Sequence, residues 1–127
     1  MIGGLALVAV GGALGSVARY GVVRGTAAVF GDHQPWGTWR VNVLGSLLMG
    51  LVAAFIARKM TETESARLLL MPGFLGGFTT FSAFSLDVFN LMQRGENGTA
   101  LGYALASVVL SVTALFAGYA LVARSIS

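Results

Sequence analysis

Four long apolar runs, almost empty of charge, constrain this chain more than any other feature. A bilayer core about 30 Å thick needs about 20 apolar residues in a helix. Residues 2–23 are interrupted only by Arg19. Residues 41–57 carry no charge, residues 68–92 carry one acid, Asp87, and residues 99–123 carry none. The connectors between them, 24–40, 58–67 and 93–98, are short and polar. Charged residues make up 10% of the 127, against about 25% in an ordinary soluble domain. A soluble bundle would show a polar face on each helix, and the second and fourth runs show none. The expected fold is therefore an all-α integral membrane protein. It comprises one four-helix transmembrane domain over residues 1–127, with no room for a second domain. No basic segment precedes the first run and three more follow it, so a span is expected there rather than a cleaved signal peptide.

The high isoelectric point, about 10.0, is misleading. The net charge is only +3, and the Lys and Arg are scattered as membrane-flanking residues rather than gathered into a nucleic-acid surface. There is no cysteine and a single histidine, His33, so thiolate and histidine-rich metal sites are excluded. Trp36 and Trp39, in the first connector, suit an interfacial aromatic belt.

Positive charge usually fixes orientation, because Lys and Arg favour the cytoplasmic side. Here Arg58, Lys59, Arg67 and Arg124 flank one side and Arg24, Arg40 and Arg94 the other, four against three. A near-tie predicts insertion both ways round, and inverted copies can pair as an antiparallel dimer. Four helices can hardly enclose a polar path alone, so self-association is expected. The pairs Gly11/Gly15, Gly21/Gly25, Gly73/Gly77 and Gly98/Gly102 have the spacing that permits close helix approach, among eighteen glycines.

The informative segment is Met71-Pro-Gly-Phe-Leu-Gly-Gly-Phe-Thr-Thr-Phe-Ser-Ala-Phe-Ser85. Pro72, Gly73, Gly76 and Gly77 fall within six residues at membrane depth and predict a broken or kinked third helix. Unwound backbone in a bilayer is tolerated only where protein buries it or it lines a cavity, and its freed carbonyls suit a cation. Phe81 and Phe84 then share a helix face, with Thr79, Thr80, Ser82 and Ser85 beside them. Ring edges and hydroxyls together can hold an anion without trapping it. On these residues alone, packing of the rings and back-bonding of the hydroxyls is the simpler reading. Asn42 opens the second span, as a cap, an interhelix bond or a donor to a path. Tyr103, Ser107 and Ser111 form a polar stripe on the fourth helix, which reads as a packing seam or as the wall of a narrow anion path. Arg19 either snorkels to the surface or draws anions into a vestibule. Asp87 is placed near the far membrane surface.

Three motifs carry a family resemblance: Gly12-Ala-Leu-Gly-Ser-Val-Ala-Arg-Tyr20, Gly37-Thr-Trp-Arg-Val-Asn42-Val-Leu-Gly45 and Gly73-Phe-Leu-Gly-Gly-Phe-Thr-Thr-Phe-Ser-Ala-Phe-Ser85. With them the sequence resembles the Fluc (CrcB) family of small bacterial fluoride channels over nearly its whole length. The third motif is the most specific. The resemblance implies an antiparallel homodimer with two pores, each built from both subunits, in the bacterial inner membrane. Fluoride would leave the cell passively, giving resistance to it. Phe81 and Phe84 would be the paired pore phenylalanines, and Asn42 the pore asparagine. Ser111, Ser107 and Tyr103 would form the polar track, Ser82 would be a further residue of the fluoride pore, and Arg19 would stand in the vestibule. The backbone carbonyls of Gly76 and Thr79 from both subunits would hold a structural sodium ion that is not transported. One departure is Leu115, where some members carry a threonine at the far end of the track.

Three rival readings fit less well. A small multidrug antiporter needs an acid in its first helix, and this first span has Arg19 and none. An enzyme is disfavoured too. Gly11-Gly12-Ala-Leu-Gly15 has a dinucleotide-like spacing but no βαβ context, and no Ser-His-Asp or Cys-His set is available. A purely structural subunit leaves the broken helix beside aligned Phe and hydroxyls unexplained.

Overall fold

The structure is a computed structural model and describes residues 1–59 and 64–125. It is all-helical, with four stretches long and apolar enough to cross a membrane. The first is α1 (Ile2–Phe30) and the second α2 (Trp36–Lys59). The third is assembled from α3 (Glu64–Leu68), a π-helical segment (Leu69–Leu75), α4 (Gly76–Phe78) and α5 (Phe81–Gln93). The fourth is α6 (Asn97–Ser125). The helices extend beyond the apolar runs, so the first connector shrinks to residues 31–35 and Arg24 lies within α1. The middle of the second connector, 60–63, lies outside the described residues.

Two seams of small residues hold the helices together. Along the first, α1 packs on the first half of the third span. A methyl on Gly15 would collide with the Phe74 carbonyl, and one on Gly77 would lie 3.1 Å from the Cα of Gly12. The expected Gly11/Gly15 and Gly73/Gly77 pairs thus face each other within one chain. Along the second, α2 packs on α6 through Gly50, which abuts the Leu115 carbonyl, and Gly118, which abuts that of Leu47. Lipid tails are as apolar as leucine, so helices in a bilayer associate through such close contact rather than through a hydrophobic drive. Gly21, Gly25, Gly98 and Gly102 meet nothing within 4 Å in this chain.

The first and third connectors are tied to each other, which puts them on the same face. Arg94 donates to the His33 carbonyl at 2.7 Å and to Glu96 at 2.8 Å, and Gln34 reaches Glu96 at 3.4 Å. The Arg94 guanidinium holds the Glu96 carboxyl below the usual carboxylate range. At the start of α3, Arg67 pairs with Glu64.

The third span breaks, but not at the proline. Pro72 lacks an N–H, and its ring crowds the carbonyl four residues back. The chain accommodates it by widening into a π-helix from Leu69 to Leu75, which keeps the segment helical. Gly73, Gly76 and Gly77 also remain helical. The backbone unwinds at Thr79 (ψ 160°) and Thr80 (φ −154°, ψ 123°), two residues after the last of these glycines. The expected break within 72–77 is corrected to 79–80. The reason is packing: α1 presses on Gly73 and Gly77 and confines them in helical form.

Candidate functional site

The break is held by one side chain. Asn42 on α2 donates from Nδ2 to the Thr80 carbonyl at 3.0 Å and accepts from the Thr80 N–H on Oδ1 at 2.7 Å. This amide clamp replaces helical partners at the point where the ladder is lost. The Thr80 hydroxyl then caps α5, accepting from the Ala83 N–H at 3.1 Å. The Thr79 hydroxyl turns back to donate to the Leu75 carbonyl at 2.9 Å. Arg19 crosses from α1 and donates from Nε to the Gly77 carbonyl at 3.0 Å. It therefore neither snorkels free nor lines the cavity described next: it ties α1 to the break.

These bonds take away the helical donors of two of the carbonyls at the break. In an unbroken helix Gly76 would accept from Thr80 and Thr79 from Ala83. Both donors are engaged elsewhere, on Asn42 and on the Thr80 hydroxyl. No group of three or more His, Cys, Asp or Glu stands together among the described residues. An ion here would therefore be held by neutral oxygens, and the freed Gly76 and Thr79 carbonyls suit a hard monovalent cation.

Beside the break lies a cavity of about 390 Å³. Asn42, Gly45, Ser46 and Met49 line it from α2, with Thr79 and Thr80 at the break. Phe81 and Phe84 close it from α5, and Ser107, Ser111 and Leu115 from α6. The Phe rings are tilted at 43° with centroids 5.4 Å apart. The hydroxyls of Ser107 and Ser111 are buried with no hydrogen-bond partner. Asn42, Phe81, Phe84, Ser107 and Ser111 are thus brought together. Ser82 is not in the lining; it is exposed, with its hydroxyl 3.3 Å from that of Thr80.

Tyr103 stands one turn beyond the cavity. Its ring packs on Phe84 at 5.4 Å, and its hydroxyl donates to Asp87 at 3.0 Å. It lines a neighbouring apolar cavity of about 460 Å³ with Trp36 and Trp39. Asp87, expected simply to lie near the membrane surface, is a half-buried acceptor within the helix packing, with Thr38 adding a second hydroxyl. Ser46 was missed by the sequence reading, although it lies one turn from Asn42, at the spacing that singled out Ser107 and Ser111.

The family model for CrcB-like protein, Camphor Resistance (CrcB), matches residues 6–119. The chain belongs to the CrcB-like family. Among CrcB-like relatives, the chain is 50% identical over 117 residues to the fluoride-specific ion channel FluC of Agrobacterium fabrum, covering 92% of this chain and 94% of the relative. It is 53% identical over 116 residues to FluC 2 of Nitrobacter hamburgensis, covering 91% and 94%. It is 53% identical over 122 residues to FluC of a Chelativorans species, covering 96% and 97%. The CrcB-like match spans all four helices, so the broken third helix, its Asn42 clamp and the cavity all lie within the shared region.

Proposed function

We infer that this membrane protein is a fluoride channel that lets the ion leave the cytoplasm passively, lowering intracellular fluoride. It is not an enzyme. The observation that carries the reading is the convergence of uncharged donors and ring edges on one cavity at a mid-membrane break. The chain that builds it matches relatives named fluoride-specific over more than nine-tenths of its length. Fluoride is small and strongly hydrated, so stripping its water is costly. A row of weak donors can replace that water stepwise without holding the ion permanently. Asn42, the Ser107 and Ser111 hydroxyls and the edges of Phe81 and Phe84 form such a row, and a fixed positive charge in it would trap the anion. Arg19, bound to the Gly77 carbonyl, stays outside it.

The reading extends to a second, inverted copy. Phe81 is 76% exposed, and Gly76 and Ser82 are exposed beside it at the middle of the third span. Polar backbone and hydroxyls at that depth need protein cover rather than lipid. A second copy supplies it and completes the pore wall, and the near-tie in flanking charge favours opposite insertion. Two pores then run along the seam, in the bacterial inner membrane. The Gly76 and Thr79 carbonyls of both copies would hold a sodium ion at the centre, where it would supply fixed positive charge and bridge the subunits.

Three measurements test this. Reconstituted vesicles are expected to release fluoride and not chloride, with Phe81→Ile or Phe84→Ile lowering release at least about tenfold, the loss of about 1.4 kcal/mol of ion stabilisation. Unchanged release in both variants removes the rings from the path. A copy locked in one orientation by lysines added on one side is expected to be inactive alone and restored by an oppositely locked copy; full activity alone contradicts inverted pairing. Exchange of sodium for choline is expected to shift the purified protein from dimer to monomer, and an unaffected dimer argues against the ion.

A further inference from the structure

The break that frees carbonyls on one side frees N–H groups on the other. α5 is 13 residues long, and its first turn begins in the middle of a membrane span. The Thr80 N–H goes to Asn42 and the Ala83 N–H to the Thr80 hydroxyl. Between them, the N–H groups of Phe81 and Ser82 have no acceptor among the described residues. At a helix end in water such donors are solvated; in a bilayer each unpaired one costs several kcal/mol. Thr80 and Phe81, at this helix end, line the 390 Å³ cavity. Ser107 faces the same cavity from α6. It is 5% exposed, and its hydroxyl has no partner at hydrogen-bond geometry. Asn42 spends one of its two amide hydrogens on Thr80 and keeps the other. Every unpaired group named here can act as a donor. The carboxylate on α5, Asp87, lies six residues further along the helix and is engaged by Tyr103.

We propose that the N-terminus of α5 is itself a fluoride-binding station, with the ion held by the Phe81 and Ser82 N–H groups and the Ser107 hydroxyl. The proposal rests on the fluoride-channel reading and deepens it. Backbone amides, and not only ring edges and side-chain hydroxyls, replace the ion's water. The helix adds about half a positive charge at its N-terminus, enough to attract an anion without the full charge of an arginine. Fluoride, the smallest halide and the strongest acceptor, gains most from two adjacent N–H groups.

The test is proton-detected solid-state NMR of the ¹⁵N-labelled full chain in lipid vesicles, titrated with sodium fluoride and, separately, sodium chloride. The Phe81 and Ser82 amide protons are expected to move downfield saturably with fluoride and to stay in place with chloride. In Ser107→Ala, with the rest of the spectrum unchanged, the midpoint is expected to rise about tenfold, as for loss of one hydrogen bond to an ion. Amides that ignore fluoride, that respond equally to chloride, or that keep their midpoint in Ser107→Ala overturn the station. Fluoride release from the same vesicles separates the two failures. Release with unmoved amides rejects the station and leaves the channel standing, whereas no release rejects both.

Discussion

There is no water in the middle of a bilayer, so a helix interrupted there must find a partner for every backbone group it exposes. The interruption at Thr79 and Thr80 meets this rule only in part, through a few bonds from three elements. Asn42 takes both the N–H and the carbonyl of Thr80, Arg19 takes the carbonyl of Gly77, and the Thr80 hydroxyl takes the N–H of Ala83. What these bonds leave over is the functional residue of the fold. Carbonyls remain at the end of α4 and amides at the start of α5. One break thus leaves backbone acceptors and backbone donors a few residues apart, the groups on which the proposed cation and anion sites are built.

The rest of the chain keeps that break in position. The glycine seam between α1 and the π-helical segment brings Arg19 within reach of Gly77. The seam of Gly50 and Gly118 draws α6 against α2, so that Ser107 and Ser111 face Asn42 across the cavity. Tyr103, anchored by Asp87, backs the Phe84 ring and separates the polar cavity from the apolar one near the tryptophans. The column of hydroxyls ends at Ser111. Leu115, one turn on, makes that end of the cavity apolar.

Much of this was legible in the residues. Charge-free runs of membrane length leave little choice but four spans, and Phe81, Phe84, Asn42, Ser107 and Ser111 were drawn to one site by helical spacing and the family motif. The break itself was read from Pro72 and the glycines, and its place was missed by a few residues. Local propensity marks where a helix can fail, but the pressure of α1 on Gly73 and Gly77 decided where it did not. The partner of Arg19 was equally hidden, because a long side chain's target depends on which backbone atom tertiary packing leaves unpaired. Tyr103 and Asp87 are sixteen residues apart, and no periodicity links positions on two different helices. The tie between the first and third connectors, from Arg94 to His33, is of the same long-range kind.

The central claim is that the Asn42 clamp holds the break open for the ion. Fluoride release from vesicles containing Asn42→Ala, with the dimer verified, tests it most directly. The loss of two hydrogen bonds of about 1 kcal/mol each predicts a fall of at least about tenfold. Release at the unmodified rate from an intact Asn42→Ala dimer would contradict the account.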